Sequence, residues 1–104
     1  MKRLTENEID YNLTSLKGWS LEENEGRITK AFTFKNFTTA FDAMTKIAAV
    51  AEELNHHPDW YNSYNKLNVK LTTHDAGGLT MKDFELAQYI EEIANAKKAK
   101  RPRL

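Results

Sequence analysis

Between Arg27 and Thr73 the apolar residues change their spacing twice, and only a mixed fold accommodates both changes. Over Arg27–Lys35, Ile28, Phe32 and Phe34 alternate onto one face with Lys30 as the polar intruder; Thr29, Ala31 and Thr33 take the other. Over Thr38–Leu54 the period becomes helical, with Phe41, Met44, Ile47, Ala48, Ala51 and Leu54 as the expected inward face and no Gly or Pro to interrupt it. Period two then returns over Lys66–Thr73. Leu67, Val69 and Leu71 share one face; Asn68, Lys70, Thr72 and His74 share the other. Strands with one apolar and one polar face belong to an antiparallel sheet covered on one side.

The flanking segments complete that plan. Trp19–Asn24 reads as a strand, and the turn at Glu25-Gly26 joins it to Arg27–Lys35 as a hairpin. Asp59–Tyr64 is strand-like and Asn65 marks the turn into Lys66–Thr73. Thr5-Glu6-Asn7-Glu8 has the capping-box spacing, and Ile9, Leu13 and Leu16 follow at helical intervals, so a covering helix is expected over residues 6–17, ended by Gly18. After the turn Asp75-Ala76-Gly77-Gly78, Thr80–Asp83 repeats the hydroxyl-to-carboxylate spacing, and Phe84, Ala87, Ile90, Ile93 and Ala94 carry a last helix to about residue 97. The basic tail, residues 97–104, is expected to fray. The predicted order is α-β-β-α-β-β-α: an α+β fold in one domain spanning residues 1–104, with three helices on one face of a four-stranded antiparallel sheet.

Composition narrows the function classes. The formal net charge is zero over 104 residues, so no global field draws the chain to nucleic acid or to an anionic membrane. The short basic tail lacks interleaved aromatics and reads as solvated. With no cysteine there are no disulfides, thiolate nucleophiles or thiolate metal ligands. No apolar run approaches the roughly 20 residues of a membrane span, and the N-terminus lacks the apolar core of a signal peptide. The expectation is a cytoplasmic protein with neither nucleic-acid nor membrane partners.

All 3 histidines fall between Glu52 and Asp83. His56 and His57 stand where the long helical pattern stops, because Pro58 holds the residue before it extended. His74 stands at the far end of the last strand pattern and Asp83 in the first turn of the last helix. Glu52, His56, His57, His74 and Asp83 can therefore converge from the ends of rigid elements, and Trp60, Tyr61 and Tyr64 could supply a flat wall for a planar ligand. Histidine both gives and takes protons near neutral pH, so these parts fit proton transfer on a polar aromatic ring. No serine carries a nucleophile-elbow glycine pattern. Other readings stay open. Loop histidines are commonly surface residues, Asp83 can be a cap alone, and the aromatics can be sheet packing. Three imidazoles can hold zinc, but adjacent residues in extended backbone point to opposite sides, so no metal is expected.

The run Glu52-x-x-x-His56-His57-Pro58, then Trp60-Tyr61-Asn62 and Tyr64-Asn65, then Thr73-His74-Asp75, Gly78-Leu79-Thr80 and Asp83, resembles the pterin-4a-carbinolamine dehydratases. Gly18-Trp19, Glu25-Gly26-Arg27 and Phe32-Thr33-Phe34 extend the resemblance over nearly the whole chain. Asn55 stands where some members have aspartate. The resemblance implies dehydration of 4a-hydroxytetrahydropterin to quinonoid dihydropterin, the step that recycles the pterin after aromatic amino-acid hydroxylation. It implies His56, His57 and His74 as acid–base residues, Glu52 and Asp83 as their supports, and Pro58, Trp60 and Tyr61 beside the substrate. It further implies a small-molecule pterin substrate, no metal or redox cofactor, and a homodimer or homotetramer. The alternative is a non-catalytic dimerisation or assembly module of the same fold, whose mark would be a depleted histidine set.

Overall fold

In the computed structural model, which describes residues 2–22 and 26–98, the two alternating stretches lie side by side at the centre of the sheet. They are β2 (Arg27–Thr33) and β4 (Lys66–Leu71), flanked by β1 (Ser20–Glu22) and β3 (Asp59–Ser63) in the order β1-β2-β4-β3, all antiparallel. The helices are α1 (Glu6–Leu13), α2 (Phe37–Leu54) and α3 (Met81–Lys98), giving the expected α-β-β-α-β-β-α order. The hairpin turn expected at Glu25, with the end of the first strand at Glu23 and Asn24, lies outside the described residues, as does the tail beyond Lys98.

Register sorts the two sheet faces. Ile28 sits opposite Leu71, Phe32 opposite Leu67 and Trp60 opposite Val69, all on the helix-covered face. Ala31 opposite Asn68 and Tyr61 opposite Asn68 face the uncovered side. Ile28, Phe32, Leu67, Val69 and Leu71 are buried with Ile47, Leu79, Leu86 and Ile90. Each large apolar side chain so buried contributes about 1.5–3 kcal/mol. Leu79 and Leu86 join this core although the helical face read from the sequence omits them. Lys30 intrudes on the apolar face at no evident penalty. Its ammonium pairs with Glu91 at 2.5 Å, donates to the Lys17 carbonyl at 2.9 Å, and lies 4.8 Å from the Phe32 ring centroid. The Trp19 indole N–H donates to the same Glu91 oxygen at 2.7 Å.

Two helices depart from expectation. α1 starts with the predicted box, in which the Thr5 hydroxyl accepts from Glu8 N–H and the Glu8 carboxylate from Thr5 N–H, but it stops at Leu13. The Thr14 and Ser15 hydroxyls there donate back to the Tyr11 and Asn12 carbonyls, and such local bonds favour turns over further helix. α2 is turned about its axis relative to the predicted face. Ala40, Ala43, Ile47 and Ala51 are buried and Met44 and Leu54 partly so, while Phe41 is 54% exposed and Ala48 is exposed. The small side chains allow close approach to α3, and the bulky Phe37 and Phe41 are left to pack on each other outside, ring centroids 5.8 Å apart. No helix among the described residues is long and apolar enough to cross a membrane.

Candidate active site

The histidine pair is placed by the way α2 ends. Asn55 adopts the left-handed conformation (φ 52, ψ 45), one that asparagine tolerates better than most residues. His56 N–H then donates back to the Ala51 carbonyl at 3.0 Å, a six-residue closure typical of helix C-termini. The Lys82 ammonium, from the first turn of α3, donates to the Leu54 carbonyl at 2.9 Å and ties this exit to α3. The reversal sends the two imidazoles in different directions.

His56 turns inward. It is 9% exposed, and its Nε2 lies 2.6 Å from Oδ1 of Asp83, which is fully buried. Oδ2 of Asp83 accepts from the Thr80 backbone N–H at 2.9 Å and from the Thr73 hydroxyl at 2.8 Å. A carboxylate so committed is an acceptor at Oδ1 as well, which puts the His56 proton on Nε2 and leaves Nδ1 for other chemistry. His57 turns outward, with Nε2 2.7 Å from Glu52 Oε2 and both side chains well exposed. That contact orients a ring without burying it.

His74 is not the end of β4, as the alternation predicted. The strand stops at Leu71, and His74 opens a single 3-10 turn, His74–Ala76, with its side chain exposed. An isolated bridge between Thr73 and Gly78 holds the base of that turn. The three imidazoles meet around one hollow of about 240 Å³, which Asn55, Thr72, Thr73 and Asp75 also line. Glu52 and Asp83 stand behind His57 and His56 rather than on its wall.

The aromatic wall lies elsewhere. Trp60 packs partly buried against the core, while Tyr61 is 65% exposed on the uncovered sheet face. Together they border a different hollow, of about 330 Å³, with Asp59, Asn68 and Lys70. The cause is the strand period: residues of β3 alternate across the sheet, so few can look toward the end where the histidines gather. Pro58 is half-buried and Tyr64 caps the β3–β4 turn at φ 52; neither lines the histidine hollow. Thr73 and Thr80, which bind Asp83, are absent from the candidates read by charge and aromaticity. Their visible signal is a hydroxyl on each side of the Asp75–Gly78 turn. Among the described residues no three His, Asp or Glu side chains are placed to share a metal ion.

Comparison with known proteins places this arrangement. A crystal structure from Brucella melitensis, described as a transcriptional coactivator/pterin dehydratase, superposes with a TM-score of 0.87 at 43% identity, covering 89% of this chain and 99% of that one. A pterin dehydratase-like protein described as a RuBisCO assembly factor of the alpha-carboxysome shares the fold, with a TM-score of 0.65 at 18% identity over 74% of this chain and 89% of that one. A Rhizobium johnstonii protein is 49% identical over 94 residues, 90% of this chain and 93% of its own length; its name, pterin-4-alpha-carbinolamine dehydratase, is provisional. Residues 2–93, all the structural elements short of the last turns of α3, match the family described as Pterin 4 alpha carbinolamine dehydratase, and the chain belongs to that family.

Proposed function

We propose that the protein dehydrates 4a-hydroxytetrahydropterin to quinonoid dihydropterin and water by histidine acid–base catalysis. The observation that carries this reading is the hollow shared by His56, His57 and His74, with His56 backed by the buried Asp83 carboxylate. The elimination breaks the C4a–O bond, and the departing hydroxide leaves as water once it receives a proton. The N5 proton is lost as the C4a–N5 double bond forms. One donor and one acceptor at the C4a/N5 edge therefore suffice, and no redox or metal chemistry is called for.

His56 and His57 serve as that pair through the nitrogens not engaged by Asp83 and Glu52, their roles exchanging with the face that bears the hydroxyl. His74 completes the cleft as a second acid–base or binding group. The carboxylates orient the rings, each engaging one Nε2. Positioned proton transfer contributes about 10²- to 10⁴-fold, enough for an elimination that is already feasible in water. A depleted histidine set would mark an assembly module, whereas here all three histidines line one hollow, which favours the enzyme. The test is turnover of synthetic carbinolamine by His56→Ala and His57→Ala. Each is expected to lose activity while remaining folded by circular dichroism, and full activity in both would end the reading.

A further inference from the structure

The buried end of the site contains more polar groups than orienting one histidine needs. Thr73 Oγ1 stands 2.8 Å from Asp83 Oδ2 and 2.9 Å from Thr80 Oγ1, and Thr80 Oγ1 accepts from Lys82 N–H at 3.2 Å. A hydroxyl has one proton to give. Since Thr73 gives its proton to the carboxylate, Thr80 must give its own to Thr73. The direction of the whole chain is thereby fixed: Lys82 N–H to Thr80, Thr80 O–H to Thr73, Thr73 O–H to Asp83, and His56 Nε2–H to the other carboxylate oxygen. Thr73 is also the residue before His74, and its backbone is held on both sides, with N–H to the Gly78 carbonyl at 3.1 Å and its carbonyl accepting from Ala76 N–H at 3.1 Å. It joins the turn that carries His74 to the carboxylate that holds His56.

We infer that Thr73 is a positioning residue for the dehydration, its hydroxyl fixing the Asp83 carboxylate so that His56 keeps its proton on Nε2 and presents Nδ1 to the substrate. This inference rests on the dehydratase reading. A Thr73 without its hydroxyl leaves Oδ2 with one donor instead of two and Thr80 without its acceptor. The carboxylate is then held at Oδ2 by the Thr80 N–H alone, and the partner it offers Nε2 is less firmly fixed. The effect falls on the chemical step rather than on binding, because the hydroxyl is directed at Asp83.

The experiment compares Thr73→Val, which keeps the volume, with Thr73→Ser, which keeps the hydroxyl. Kinetics on synthetic carbinolamine are read beside the His56 ring nitrogens by long-range proton–nitrogen NMR. Thr73→Val is expected to lower kcat about tenfold, the scale of an outer partner that orients a functional imidazole, with KM little changed. His56 should lose its single Nε2–H form in the same variant, and Thr73→Ser should restore both readouts. A Thr73→Val protein with native kcat, or with His56 still wholly Nε2-protonated, overturns the inference. So does a loss that Thr73→Ser fails to restore. If Thr73→Val does not fold, the unaltered protein decides: a Thr73 hydroxyl proton protected from exchange, with His56 protonated on Nε2, upholds the chain, and a proton exchanging at the solvent rate or an Nδ1–H ring refutes it. Failure of the unaltered protein to turn over carbinolamine would instead strike the dehydratase reading, which the NMR measurements do not test.

Discussion

Asp83→Asn separates the carboxylate's structural work from its chemical work. The amide has one acceptor and one donor, whereas Asp83 accepts at both oxygens. Two donors, Thr80 N–H and Thr73 O–H, converge on the Oδ2 position, so the amide oxygen must go there and its NH₂ must face His56. His56 can answer only by accepting at Nε2 and moving its proton to Nδ1. All the contacts survive, so the stability cost is the loss of charge assistance alone, about 1–2 kcal/mol. Asp83→Leu would instead orphan three buried donors at about 1–3 kcal/mol each, a large part of the 5–15 kcal/mol available to a domain. Activity is a different matter where His56 is the acceptor, since Nδ1 now carries a proton and cannot take one from the substrate. The acid–base contribution of His56 should largely vanish, a loss of about 10²-fold or about 2.7 kcal/mol of barrier. Urea denaturation, turnover of synthetic carbinolamine and His56 nitrogen shifts measure the three effects on one protein. Native turnover in a folded Asp83→Asn protein whose His56 proton has moved to Nδ1 would refute the argument.

Four further outcomes follow from the packing and the helix cap. Gly18→Ala should destabilise by about 1–2 kcal/mol, because Gly18 lies at φ +86 and an added Cβ would meet Lys30 Cε at 2.9 Å while Glu91 pins that lysine; urea titration measures it. Hydrogen bonds from Thr5 to the Glu8 carboxylate hold its pKa below the usual carboxylate range, a bond to the Thr5 backbone N–H first among them. A depressed folded pKa contributes stability above the unfolded value that is lost as pH falls through the folded one, so the protection of the α1 amides, relative to their intrinsic exchange rates, should fall in acid, and Glu8→Gln should remove that pH dependence. Ile47→Ala should cost about 2–5 kcal/mol of unfolding free energy. Phe41→Ser should leave that energy within about 0.5 kcal/mol and lower any self-association seen by light scattering, since Phe41 stands outside the core.

How far the sequence could be read depends on what each signal measures. Alternation at Ile28, Phe32 and Phe34, or at Leu67, Val69 and Leu71, assigns a face whatever the partner strand is, so the sheet and its covered side were legible. The rotation of α2 was not. Phe37 and Phe41 lie beside the row Ala40-Ala43-Ile47-Ala51 on one broad apolar arc, and only the closeness of α3 decides which part of the arc turns in. The α2 exit was legible through Pro58, yet the divergence of His56 and His57 depends on the left-handed Asn55 and on the Lys82 bond to Leu54. Trp60 and Tyr61 border a different hollow because aromatic residues near histidines in sequence need not face the same way once a pleated strand intervenes.

Asp83 shows why the spacing Thr80–Asp83 supported two readings that looked exclusive. One oxygen accepts the Thr80 N–H and so closes the start of α3; the other faces His56 across a separation of 27 residues. A helix cap needs only one carboxylate oxygen. Building the site on the second makes its geometry as rigid as the helix start that supplies it, and it predicts that changes which fray α3's first turn reach the chemistry of His56 before they reach the stability of the core.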